Sequence, residues 1–161
     1  MKLAEVKTAH LEKLADYTRT LYRAPELRKL FFELTLQCNE RCFHCGSSCS
    51  PGTSCEGDLT RDEWIAIIDQ VSADFDITRM QLCITGGEPL LNRDFFDIMG
   101  YAHERGFRWG MTSNATLITP EVAQRLADVG MGTISVSIDG LRDTHDELRG
   151  LAGGYDRAMA G

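Results

Sequence analysis

The chain has 161 residues, 43% hydrophobic and 25% charged, with a formal net charge of −7. That length corresponds to about one domain able to bury roughly 68–70% of its unfolded surface, so a core can form without disulfide staples. The acidic balance argues against nucleic acid held on a broad basic face, no run approaches the ~18 apolar residues of a membrane helix, and the charged start MKLAEVKTAHLEKLADY has no signal-peptide h-region.

Taken in chain order, Leu11, Leu14, Ala15, Thr18 and Tyr22 recur at helical spacing over 4–23, and Pro25 ends that helix. LFFELTLQC (30–38) reads as a strand. LTRDEWIAIIDQVSADF (59–75) opens on Thr60 with Glu63 three residues on, the capping-box start of a helix. MQLCITGG (80–87) is a second strand, and NRDFFDIMGYAHERG (92–106) a helix capped by Asn92 and stopped by Gly106. FRWGMTSNA (107–115) is a third strand. TPEVAQRLADVG (119–130) is a helix with Thr119 as cap, Pro120 in the first turn and Gly130 at the end. TISVSID (133–139) is a fourth strand, followed by a short helical turn near 143–149 and the opening of another helix in YDRAMAG. Alternating strands and helices predict an α/β fold with a parallel sheet. The organisation expected is an N-terminal helical extension over 1–28 and one α/β unit over 29–161.

Parallel strands buried on both faces read as apolar runs, but these alternate. Phe32, Leu34 and Leu36 oppose Glu33, Thr35 and Gln37; Leu82 and Ile84 oppose Gln81, Cys83 and Thr85; Ile134, Val136 and Ile138 oppose Thr133, Ser135, Ser137 and Asp139. Burying so many unpaired polar groups would cost about 1–3 kcal/mol each. The polar faces are therefore expected to line a wet or ligand-filled concavity, as in a partial (β/α) barrel of parallel strands. Glu33 and Gln37 are candidates for substrate contact there.

Five of the six cysteines fall between positions 38 and 55. The expected location is the cytoplasm, where disulfides are uncommon and clustered cysteines are more often metal-binding or catalytic. Cys38-x3-Cys42-x2-Cys45 follows the first strand. By spacing alone it suits zinc, with His44, Cys49 or Cys55 as a fourth ligand, a redox pair, or an iron–sulfur cluster with one iron left open. Cys49 and Cys55 read as loop thiols, as ligands to a second metal or as a disulfide formed in air, and Cys83 as a small buried residue. A second motif, TGGEP (85–89), ends the second strand, where glycines let backbone approach a ligand. TSNAT (112–116), SVSIDG (135–140) and HDELRG (145–150) follow in order, so every strand end on one rim carries a polar or glycine-rich group.

CNERCFHC with GGEP roughly forty residues on resembles the radical S-adenosylmethionine (radical SAM) superfamily over about 30–150. The resemblance implies an Fe4S4 cluster on Cys38, Cys42 and Cys45, with S-adenosylmethionine chelating the fourth iron. Cleavage then yields methionine and a 5′-deoxyadenosyl radical that abstracts hydrogen from a substrate. It also implies that Gly86, Gly87 and Glu88 meet the methionine amino group, that Ser137 and Asp139 meet the ribose, and that Arg149 pairs with the methionine carboxylate. Ser113 and Asn114 supply third-strand contacts, and His44 occupies the usually aromatic position near the adenine. The low-potential electron donor would be a ferredoxin or flavodoxin. FELTLQCNERCFHCGSSC is similar to the peptide-modifying enzymes with a cysteine-rich SPASM or twitch extension, which points to a peptide or protein substrate. The family barrel has six βα units and about four are read here, so an N-terminal portion is expected. The readings left beside it are a non-catalytic zinc-binding module and an electron-transfer iron–sulfur protein.

Overall fold

The computed structural model describes residues 3–161; Met1 and Lys2 of the expected extension lie outside the described residues. A helix, α1 (Leu3–Arg23), precedes four strands: β1 (Lys29–Glu33), β2 (Gln81–Thr85), β3 (Arg108–Ser113) and β4 (Met131–Val136). Between and after them lie α2 (Arg61–Asp74), α3 (Phe95–Glu104), α4 (Pro120–Asp128), α5 (Arg142–Arg149) and α6 (Gly154–Ala160). The strands form one parallel sheet in the order β1-β2-β3-β4, the open α/β arrangement read from the alternation.

Register explains the core. Phe32 pairs with Ile84, Ile84 with Met111, and Met111 with Ile134, so one apolar row crosses all four strands. With Leu82 and Trp109 it packs on Trp64 and Ile68 of α2, Phe95, Ile98 and Met99 of α3, and Leu126 of α4. The row is 4%, 0% and 4% exposed on its first three strands but 38% at Ile134. Val136 and Ile138 are likewise half-covered, because β4 is the edge of the described sheet.

The caps follow the sequence closely. Thr60 accepts from Glu63 N and Glu63 reaches back to Thr60 N at 2.8 Å, fixing the start of α2. Thr119 accepts from Val122 N with Pro120 in the first turn of α4.

Other boundaries move for identifiable reasons. β1 ends at Glu33 and not at Cys38, because from Thr35 onward the chain pairs with a turn instead of a strand: Gly87 N donates to Thr35 O at 2.8 Å, and Glu88 N to Gln37 O at 2.8 Å. Leu36, expected on the apolar face, is consequently half-exposed, and Thr35, expected in the concavity, is buried with its hydroxyl on Asp58 at 2.9 Å. Asn92 does not cap α3, which begins at Phe95. Pro89–Leu91 instead forms a 3-10 turn, and Asn92 accepts from Asp94 N at 2.9 Å while donating to Leu34 O at 2.9 Å. Cys83, read as buried, is half-buried on β2. β4 stops at Val136, leaving Ser137 and Asp139 in the loop beyond it. The turn expected near 143–149 is the full helix α5. Helix α1 forms where the spacing puts it, but Leu11, Leu14 and Tyr22 stand exposed; periodicity fixes a face without saying what covers it. Among the described residues no helix is long and apolar enough to cross a membrane.

Candidate metal and ligand site

The C-terminal ends of the four strands open on one cavity of about 340 Å³. Around it the structure brings Cys38, Cys42, Cys45 and His44 from the loop after β1, Gly86 and Gly87 after β2, Ser113 and Asn114 at the end of β3, Ser137 after β4, and Arg149 at the end of α5.

The two glycines are dictated by packing. A Cβ on Gly86, where φ is +149°, would stand 2.5 Å from Thr35 O; one on Gly87 would overlap Gln37 O and come within 2.9 Å of the Cys38 Cβ. With the amides of Gly87 and Glu88 already spent on Thr35 and Gln37, the turn is sewn onto the segment after β1 that leads to Cys38.

Glu88 does not line the cavity, contrary to its expected place beside the ligand. Its carboxylate is fully buried and accepts from Ser113 Oγ at 3.0 Å, Asn114 N at 2.9 Å and Leu90 N at 3.3 Å. Burial pushes this carboxyl up, and the bonds from Asn114, Ser113 and Leu90 pull against that. Glu88 thus joins the β2 turn to the end of β3 and sets Ser113 and Asn114. Replacing it by glutamine is expected to destabilise the fold by about 1–3 kcal/mol, because the new amide group meets donors where acceptors are needed. Thermal melts of Glu88→Gln check this; an unchanged melting temperature would show that the buried network tolerates a second donor.

Of the remaining predicted residues, Arg149, Asp139 and His44 form one chain of contacts. Arg149 Nε donates to Asp139 Oδ2 at 2.5 Å, and His44 Nε2 lies 3.4 Å from the same oxygen. The Arg149 guanidinium holds the Asp139 carboxyl below the usual range. Asp139 is therefore reached through its partners and does not itself line the cavity. Asn114 donates to Asn39 Oδ1 at 2.8 Å and has its Nδ2 4.0 Å from Cys38 Sγ.

Glu40, which motif spacing did not nominate, and Cys49, which it offered only as an alternative fourth ligand to zinc, also face the cavity. Glu40, inside CNERC, has a side chain with no exposed surface; Oε2 is 3.3 Å from Arg149 Nη1, and Oε1 has no partner. The signal was a carboxylate between two candidate ligands with a basic residue elsewhere on the rim. Cys49, read as a loop thiol, is buried at the cavity because Ser50 O receives the Cys38 amide at 3.5 Å and folds the loop back. Spacing offered it only as one of three alternative fourth ligands; its burial at the cavity goes with the left-handed turn at Ser48.

The donor set suits a cluster. Desolvation pushes the Cys42 and Cys49 thiols up to about 11 and raises Cys38 as well, so the free thiols stay protonated at neutral pH and metal entry must expel protons. Among the described residues no three His, Cys, Asp or Glu side chains converge on one ion. Cys38, Cys42 and Cys45 all line the one cavity, and an Fe4S4 cluster would take one thiolate at each of three irons.

The model of the Radical SAM superfamily matches residues 32–161. The chain is 41% identical over 136 residues to an AdoMet-dependent heme synthase of Methanosarcina barkeri, covering 83% of this chain and 38% of that protein. It is 29% identical over 147 residues to the PqqA peptide cyclase of Rhizobium meliloti, covering 91% of this chain and 38% of that one. Among solved structures, Streptococcus suis SuiB bound to S-adenosylmethionine superposes with a TM-score of 0.66 at 21% identity, covering 91% of this chain and 34% of that chain. The chain thus spans well under half the length of the relatives it matches.

Proposed function

The chain belongs to the radical SAM superfamily, and from that premise we propose that it serves an enzyme in which a reduced Fe4S4 cluster cleaves S-adenosylmethionine to a 5′-deoxyadenosyl radical for hydrogen abstraction from a peptide or protein. The observation that carries the reading is the single cavity lined at once by Cys38, Cys42, Cys45, Gly86 and Gly87.

In this reading the three thiolates hold the cluster. Gly86 and Gly87 offer their carbonyl side to the ligand's amino group, and Ser137 and Asn114 present polar groups to its remaining heteroatoms. His44 lies where the adenine would pack, and Asp139 acts by orienting His44 and Arg149. The Arg149 fork faces a carboxylate with Nη2, which its bonds to Asp139 and Glu40 leave unused. Ser113, bonded to Glu88, shapes the wall. Electrons come from a ferredoxin or flavodoxin in the cytoplasm. Residues 29–161 form the cofactor-binding unit and 1–28 an extension in front of it. The likeness to a peptide cyclase supports a peptide substrate, and the likeness to a heme synthase supports a heme precursor as the second reading.

The test is anaerobic reconstitution with iron and sulfide, followed by EPR of the reduced protein with and without S-adenosylmethionine. Iron and sulfide in equal amounts and a changed signal on adding S-adenosylmethionine are expected. Zinc uptake without sulfide, or a signal that ignores the ligand, overturns the reading.

A further inference from the structure

The end of α5 is clipped to the cysteine loop. Arg41 N donates to Arg149 O at 3.0 Å, and Phe43 N to Leu148 O at 2.8 Å. Gly150 makes the clip possible: it sits in the left-handed region at φ +61°, and a Cβ there would come 2.8 Å from Arg41 O. The clip brings the Arg149 side chain, only 12% exposed, against Cys42, with Nη1 3.7 Å from Sγ. Beside it on the same sulfur is Glu40, whose Oε2 lies 3.7 Å from Cys42 Sγ and 3.3 Å from Arg149 Nη1. One thiol therefore has a buried guanidinium and a buried carboxylate within contact distance.

Reducing an iron–sulfur cluster adds negative charge that is shared with its thiolate sulfurs. An N–H donor aimed at such a sulfur favours the reduced state, and a carboxylate beside it disfavours that state. Both effects grow where water is excluded. Once Cys42 gives up its proton to bind iron, Glu40 loses a donor and gains a repulsion, while the bond from Arg149 becomes charge-assisted.

We propose that Arg149 and Glu40 set the reduction potential of the cluster, Arg149 raising it through an N–H···S bond to Cys42 and Glu40, paired with Arg149 beside the same sulfur, lowering it. This rests on the cluster assignment above and adds to Arg149 a role separate from any contact with S-adenosylmethionine. Asp139 takes part by fixing Nε, which aims Nη1 at the sulfur.

The experiment is an EPR-monitored redox titration of the reconstituted protein without S-adenosylmethionine. Arg149→Lys, which loses the fork, and Arg149→Met, which loses the donor, are expected to shift the midpoint downward, Met further than Lys. Glu40→Gln is expected to shift it upward. Opposite signs separate tuning from a loosened loop, which would move both in the same direction. Midpoints equal to wild type in the Arg149 variants, or a Glu40→Gln shift in their direction, overturn the proposal. If Arg149→Met retains too little cluster to titrate, Arg149→Lys with Glu40→Gln decides it. A wild-type protein that takes up no iron and sulfide overturns the proposed function and this inference with it, whereas a wild-type cluster with flat midpoints overturns only this one.

Discussion

Replacing Cys38, Cys42 or Cys45 singly by alanine is expected to reduce bound iron and sulfide from about four each per chain to near zero. Three protein thiolates leave none to spare when the fourth iron is kept for a ligand. The informative control is Cys49→Ala. Cys49 is only 5% exposed and lines the same cavity, so it is the thiol best placed to stand in for a missing ligand. Cys49→Ala is expected to keep its cluster, as are Cys55→Ala and Cys83→Ala. Iron and sulfide analysis with visible absorbance reads the result. Loss in Cys49→Ala together with retention in Cys38→Ala would move the ligand set to the other side of the loop.

Gly87→Ala is expected to be nearly as damaging without touching a thiol. The added methyl overlaps Gln37 O and crowds the Cys38 Cβ at 2.9 Å. Both are backbone or backbone-proximal atoms that cannot swing away, so the turn must lift off the segment that follows β1. Overpacking of this kind costs about 1–3 kcal/mol. Lifting the turn also weakens the two bonds to Thr35 and Gln37, at about 0.5–1.5 kcal/mol each. Roughly 2–4 °C of melting temperature per kcal/mol for a domain of this size puts the loss at about 5–20 °C. Because Cys38 moves with the turn, cluster occupancy should fall too. Melts and iron analysis of Gly87→Ala beside Gly46→Ala, where a Cβ meets nothing within 4 Å, check it. Equal behaviour of the two variants would mean that the turn yields without cost.

What the sequence made legible was local or periodic. The Thr60–Glu63 box, the Thr119–Pro120 start and the apolar faces carrying Phe32, Leu82 and Ile84 each depend on residues a few positions apart or on a repeat of two. The triad and the glycine turn were recognisable as strand-end motifs on one rim. What stayed hidden depends on distant pairs. The end of β1 is set by Gly87 and Glu88, some fifty residues on. Glu88 looked like a ligand contact because its motif has that place; that its carboxylate turns toward Ser113 follows from side-chain geometry that no spacing encodes. Glu40 and Arg149 are 109 positions apart, and their pairing exists only once α5 docks on the loop.

That docking has a consequence in time as well as in space. Cys42 and Arg149 are separated by 107 residues. At about 5–20 residues per second, roughly 5–20 s pass on the ribosome between the emergence of the thiols and the arrival of the helix end that clips their loop. Through that interval the Arg41 and Phe43 amides lack their carbonyl partners, and Cys42 has neither the guanidinium nor the cover of α5. The nascent chain therefore displays its candidate ligand thiols before it can organise them, and in the proposed reading stable iron delivery belongs after the helix end has docked.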